Sequence, residues 1–277
     1  MGRQHVILHL VSDATGETLI AASRAVASQY QGVDLIEQIH PMVRSAAALE
    51  DVLREIEAEP GIVLFTLVEE EHARRLMAAC AAIGAPCLSL LAPIMALFQS
   101  YIGAAAASRP GAQHSLNAEY FRRIDALNYT LGHDDGQQAD SYEAADVVLM
   151  GVSRTSKTPT SIYLANRGVK TANIPFVPGA ALPKSLEELR NPLVVGLVAS
   201  PDRIVQIRTN RILSIEADPE SPYVDRRLVA EEIAQSKRLF DARGWPMIDV
   251  TRRSIEETAA AIISLHKSRK AKLKPAA

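Results

Sequence analysis

The chain has 277 residues, enough for one large domain or two ordinary ones, and its 48% hydrophobic and 22% charged residues exclude a disordered chain. A formal net charge of −2 excludes a protein that grips nucleic acid by bulk electrostatics, but not one with a local anion site. Two cysteines, Cys80 and Cys87, are too few for a disulfide framework or a zinc site.

Both cysteines read as buried small hydrophobes in a reducing cytoplasm. The first five residues run straight into a strand-like segment without the apolar core of a signal peptide. Val6 stands where a myristoylation motif needs Ser or Thr. No apolar run approaches the roughly 20 residues that span a bilayer. The expectation is a cytoplasmic protein with no membrane and no nucleic-acid partner.

Short apolar runs then alternate with helix-periodic segments. Residues 5–11 read as a strand, 16–29 as a helix and 33–39 as a strand. Residues 45–57 are helical, with Leu49, Val52, Leu53 and Ile56 on one face. A strand at 61–68, a helix at 69–83 and a strand at 86–90 complete a β-α-β-α order, which implies a mainly parallel sheet covered by helices. The rhythm breaks over the alanine-rich residues 102–110, and 116–131 read as one helix closed by Gly132 and His133-Asp134-Asp135-Gly136. Alternation resumes with strands at 145–150, 172–176, 193–199 and 247–250, and with helices at 202–213, 224–242 and 254–266. The basic tail at 267–274 reads as a frayed end, and there is no internal sequence repeat. The expected fold is α/β, with two mainly parallel α/β layers. Residues 1–102 form an N-terminal α/β domain, 103–140 a connector, and 141–277 a P-loop kinase-like nucleotide-binding domain.

The chemistry concentrates in Gly151-Val152-Ser153-Arg154-Thr155-Ser156-Lys157-Thr158. A phosphate-binding loop needs a strand, a tight turn of inward N–H groups, a lysine and a hydroxyl at a helix N-terminus. Here the strand precedes Gly151, Lys157 can reach a β-phosphate, and Thr158 offers a hydroxyl to Mg²⁺. Pro159 falls in the first helical turn, where its missing N–H costs little. Ser156 replaces the second glycine of G-x-x-x-x-G-K-[ST], so the turn must be managed differently. Arg154 either clamps a phosphate or braces the loop through a carboxylate.

At this loop the sequence resembles the pyruvate, phosphate dikinase regulatory proteins and their relatives that regulate phosphoenolpyruvate synthase. The likeness rests on residues 151–161 with Tyr163-Leu164-Ala165, and on three further segments: 8–19, 123–136 and Asn173-Ile174-Pro175-Phe176. It spans about residues 5 to 265. It implies a serine/threonine kinase with ADP as donor, which inactivates the dikinase by phosphorylating a threonine. It also implies reversal by phosphorolysis, with inorganic phosphate as substrate and pyrophosphate as product. Ser156 before Lys157, and the opening Ser12-Asp13-Ala14-Thr15-Gly16-Glu17-Thr18, resemble the dikinase branch rather than the synthase branch.

A kinase acting on a hydroxyl needs a carboxylate to orient it or accept its proton. Asp134 and Asp135 are candidates, against the alternative of an acidic turn capping a helix. Asp13 is another, following a strand's carboxyl end, against the alternative of an N-cap. Arg208 and Arg211, three apart on one helix, are candidate lid arginines, while Arg203 reads as solvated. Residues 221–223 are a candidate mobile part of the same lid. His133 reads as a satisfied structural histidine. The expected catalytic set is therefore Lys157, Asp134, Asp135 and Asp13, with ADP and inorganic phosphate as substrates. Two alternatives stay open, a small-molecule kinase and a nucleotide sensor without catalysis, and the assembly stays open too, a homodimer included.

Overall fold

The computed structural model describes residues 4–107, 109–112, 118–214 and 221–273. The chain divides into two compact units, 1–115 and 116–277. Residues 103–140, expected as one connector, are divided between them.

The first unit runs β1 (Gln4–Val11), α1 (Glu17–Ala27), β2 (Val33–His40), α2 (Ala46–Ala58), β3 (Ile62–Phe65), α3 (Glu70–Ala82), β4 (Cys87–Ser89) and α4 (Ala92–Ile102). Its strands are all parallel, in the order β2-β1-β3-β4. Leu49, Val52 and Ile56, the face legible in the sequence, pack with Val11, Val63, Phe65, Leu76 and Cys80 into one core. Ser45 caps α2, its hydroxyl accepting from the Ala48 N–H at 3.2 Å. Cys80 and Cys87 are free, Cys80 buried and Cys87 half-buried, and burial pushes the Cys87 thiol up to about 12. Burial thus disfavours the thiolate form there. Helix α4, which no polar–apolar period in the sequence announces, buries none of its residues.

The second unit opens with α5 (Ala118–Gly132) and two 3₁₀ turns (Asp134–Gly136 and Ala139–Ala144). It continues with β5 (Val147–Gly151), α6 (Lys157–Ala165), β6 (Thr171–Pro175), α7 (Lys184–Glu187), β7 (Leu193–Val198) and α8 (Pro201–Ser214). A 3₁₀ turn (Pro222–Val224), α9 (Arg226–Ala242), β8 (Met247–Asp249) and α10 (Ile255–Leu273) follow. The strands are again all parallel, in the order β6-β5-β7-β8. Every residue of β5 and β7 is buried, the signature of a parallel strand with both faces covered. Asp225 caps α9, and Ser254 and Glu257 form a reciprocal capping box at α10. The tail does not fray within the described residues. Helix α10 continues to Leu273, held by Arg269 on the Arg190 carbonyl and by Lys270 on Asp146.

The sequence shows no repeat, yet the two units repeat a topology. Each places its first strand centrally, its second on one side and its third and fourth on the other. In such a sheet the connections diverge between the first and third strands, leaving a crevice at their carboxyl ends where α/β proteins hold ligands.

Candidate functional site

In the second unit that crevice is bounded by the loop after β5. Gly151 is required by crowding rather than by a left-handed φ. A Cβ there would sit 2.5 Å from the Leu197 carbonyl oxygen of β7 and 2.8 Å from the Thr155 hydroxyl. The left-handed turns fall instead on Arg154 (φ 74) and Ser156 (φ 59). Ser156 therefore keeps the backbone conformation for which the motif uses glycine, at a cost of roughly 1–2 kcal/mol for a residue with a side chain. Its side chain makes no capping hydrogen bond, so the first-turn N–H groups of α6 keep their hydrogens for another acceptor. The buried Thr155 hydroxyl donates to the Val152 carbonyl at 2.9 Å and closes the loop on itself.

Lys157 opens α6 and is 6% exposed. Among the described residues its Nζ has one hydrogen-bond partner, the Val152 carbonyl at 3.1 Å. Burial pushes its pKa down to about 8; the Asp135 and Asp134 carboxylates oppose the shift, and Arg208 and Arg154 add to it. The loop thus holds a buried cation whose only close acceptor is neutral.

Asp134 reaches the same helix end. The Thr158 hydroxyl shares its hydrogen between the two Asp134 carboxylate oxygens, at 3.0 and 3.2 Å. The Asn173 amide, from β6, donates to both Asp134 and the Thr158 hydroxyl. Asn173 is buried, and its own side-chain oxygen has no partner among the described residues. The backbone bond from the Asn173 N–H to the His133 carbonyl, 2.9 Å, ties this strand to the acidic turn. His133 is the structural residue its surroundings suggested. It is buried, stacks on Tyr129 at 3.7 Å, and bonds the Tyr129 carbonyl and the Ser141 hydroxyl. Asp135 is exposed in a left-handed conformation (φ 50) next to Asp134.

The other wall is built on Arg208, 1% exposed. Its guanidinium donates to the Tyr223 and Ser153 carbonyls, pairs with Glu232 at 2.7 Å, and stacks 4.4 Å over the Tyr223 ring. The Tyr223 hydroxyl in turn meets Ser153 Oγ at 2.9 Å and accepts from Arg154 Nε at 3.4 Å. Arg154 has no carboxylate partner among the described residues, so its bracing contact is with this tyrosine. The expected lid arginines part company: Arg208 is an internal brace of the loop, whereas Arg211 is exposed and, among the described residues, contributes only its backbone carbonyl, to Ser214. Ser221–Val224 is a defined turn packed by Arg208 rather than a free flap; residues 215–220 lie outside the described residues. Arg203 is exposed and bonds Gln206, as a solvated residue does.

Asp13 belongs to the first unit, whereas Lys157, Thr158, Asp134, Asn173, Arg208 and Tyr223 belong to the second. Sequence reading missed the roles of Asn173 and Tyr223. For Asn173 a signal existed, an amide side chain within an otherwise apolar strand of a parallel sheet. Tyr223 lies in the non-periodic stretch expected as a mobile part of a lid, where nothing pointed to its contacts with Ser153, Arg154 and Arg208.

The comparisons agree with one another. The model of the kinase/pyrophosphorylase family matches residues 8–263. A protein of Nitrobacter winogradskyi is 60% identical over 97% of this chain and 96% of its own length. Proteins of Nitrobacter hamburgensis and Bradyrhizobium diazoefficiens are each 59% identical, over 97% and 95% of this chain and 96% and 94% of their own lengths. All three are provisionally named pyruvate, phosphate dikinase regulatory proteins. The chain belongs to the kinase/pyrophosphorylase family.

Proposed function

We propose that residues 151–158 hold the phosphates of ADP, or inorganic phosphate, and that the chain phosphorylates and dephosphorylates a threonine of pyruvate, phosphate dikinase. One observation carries the site: the buried ammonium of Lys157, whose one hydrogen-bond partner among the described residues is the Val152 carbonyl, beside N–H groups left open at the start of α6. An anionic ligand supplies the missing counter-charge. The family supports the kinase chemistry, and the names of the relatives support the dikinase over phosphoenolpyruvate synthase as target.

In the forward direction the threonine oxygen attacks the β-phosphorus of ADP, the bond to the bridging oxygen breaks, and AMP leaves. In reverse, an oxygen of inorganic phosphate attacks the phosphothreonine phosphorus; pyrophosphate forms and the threonine hydroxyl is restored. Lys157 neutralises charge in both directions, as a loose phosphoryl-transfer transition state requires. Asp134, held by Thr158 and Asn173, orients the acceptor hydroxyl and takes its proton. The Thr158 hydroxyl and the Asp134 carboxylate are hard oxygen donors of the kind that fit Mg²⁺. When bound, the ion supplies further neutralisation of phosphate charge.

Because one loop serves both directions, ADP and inorganic phosphate should exclude each other. The test is phosphorolysis of phosphorylated dikinase, followed by pyrophosphate release at rising ADP. Competitive inhibition against phosphate is expected. Inhibition that excess phosphate fails to relieve would require two separate sites and contradict the reading.

A further inference from the structure

The second unit has a cavity at the end of its sheet away from the loop at 151–158. That loop follows β5 at the carboxyl ends of the strands, whereas Pro192 and Pro246 immediately precede β7 and β8 and mark their amino ends. There a cavity of about 320 Å³ is lined in part by Leu189, Leu193, Arg243, Trp245, Pro246 and Arg269. Its volume falls within the roughly 300–1,000 Å³ of small-molecule sites, and its wall has their usual make-up, apolar and aromatic groups with a few polar ones.

The polar groups select the ligand. Neither proline has an N–H to offer. The backbone N–H groups of Leu193, Arg243, Gly244 and Trp245 are spent on the carbonyls of Asp146, Leu239, Asp241 and Phe240. The donors left are side chains. Arg269, half-buried on α10, makes one hydrogen bond, from Nη2 to the Arg190 carbonyl at 2.7 Å, and no ion pair among the described residues. Its Nε is buried and has no partner among them either. Arg243 is paired with Glu187, so Arg269 is the cation on this cavity that lacks a carboxylate. The half-buried Trp245 indole, tilted against Phe240 with ring centroids 6.3 Å apart, supplies an apolar wall, and its N–H has no partner among the described residues. A cation without counter-charge calls for an anion, and a guanidinium fork fits a carboxylate with two parallel bonds. The indole and Pro246 cover a carbon body.

We infer that this cavity binds a small organic monocarboxylate, its carboxylate on Arg269 and its carbon body against Trp245. Inorganic phosphate has no carbon body to set against the indole and is disfavoured. The cavity shares no residue with the loop at 151–158, so the two are tested apart.

Trp245 is the only tryptophan of the chain, so its indole N–H gives a single nuclear magnetic resonance that reports on the cavity directly. The full chain is titrated with benzoate, with benzamide, which keeps the shape and lacks the charge, and with inorganic phosphate. Benzoate is expected to move the indole resonance saturably, and phosphate to leave it in place. Benzamide should bind more weakly by about tenfold or more, the effect of one charge-assisted hydrogen bond. Arg269→Gln should remove the preference for benzoate over benzamide. If that variant fails to fold, Glu187→Gln, at an exposed position, takes its place: loss of the acidic group on the cavity should tighten benzoate and leave benzamide unchanged. No saturable shift with benzoate, equal affinity for benzoate and benzamide, or a preference that Arg269→Gln leaves intact would overturn the inference. So would phosphate binding as well as benzoate, or Glu187→Gln without effect on benzoate.

Discussion

Lys157 is held where its charge is least comfortable, and two measurable consequences follow. With a pKa near 8 in the folded chain, against the usual lysine value above 10, the folded state sheds this proton before the unfolded state does. Its contribution to stability therefore rises as pH increases from about 8 to about 10.5, and below 8 the buried charge costs stability. Affinity for phosphate should run the opposite way, falling as pH rises through 8, because the ligand needs the ammonium. Calorimetry between pH 7 and 9.5 should show that decline in the wild type and not in Lys157→Met. The same substitution should leave the melting temperature at pH 7 unchanged or raised, since it removes a buried charge. Ser156 offers a second test at this scale. Its left-handed φ costs roughly 1–2 kcal/mol, and glycine's greater freedom in the unfolded chain returns about 0.4–1 kcal/mol of that. Ser156→Gly should stabilise the protein by up to about 1.5 kcal/mol in urea denaturation.

Among the elements, β6 and the acidic turn matter as much as the loop. Asn173 links Asp134 to Thr158, so Asn173→Ala should free the carboxylate and lower transfer by about 10–10²-fold. If kcat falls while KM for ADP holds, the amide acts by positioning Asp134. Arg208 plays the corresponding part for α8 and α9. Arg208→Ala leaves Glu232 and two carbonyls unpaired and should cost about 3 kcal/mol, whereas Arg211→Ala, at an exposed position, should change stability by less than about 0.5 kcal/mol. These contrasts mark what the sequence could reveal. The strand–loop–helix around Lys157 was legible because a buried parallel strand reads as an apolar run and the loop residues are local. The partners of that loop, Asn173 and Tyr223, come from elements 15 and 70 residues away in sequence, and spacing along the chain carries no record of such contacts. For the same reason Arg208 and Arg211 looked equivalent: helical spacing places them near one another, but only packing against α9 and the Tyr223 turn decides which is buried.

For the whole molecule, the alternation of strands and helices was legible nearly throughout, and most boundaries fell within a few residues, the end of α10 seven residues beyond the expected one being the exception. Helix α4 was not, because Ala92–Ile102 lacks the polar face that makes a helical period visible. The shared strand order of the two units was also hidden. Topology depends on which strands neighbour one another, and Glu17 against Lys157, each the first residue of the helix after its central strand, shows that equivalent positions keep different chemistry. No helix among the described residues is long and apolar enough to cross a membrane. The two units divide the polar machinery, with the cation and carboxylate proposed for catalysis both in the second. The central claim, transfer of phosphate from ADP at that second unit, is tested most directly by incubating the protein with the dikinase and ADP labelled in its β-phosphate. Label should appear on a threonine of the dikinase with AMP as the other product, and Lys157→Ala should abolish it. Failure of ADP to transfer label, with ready transfer from ATP to a small molecule, would contradict the account.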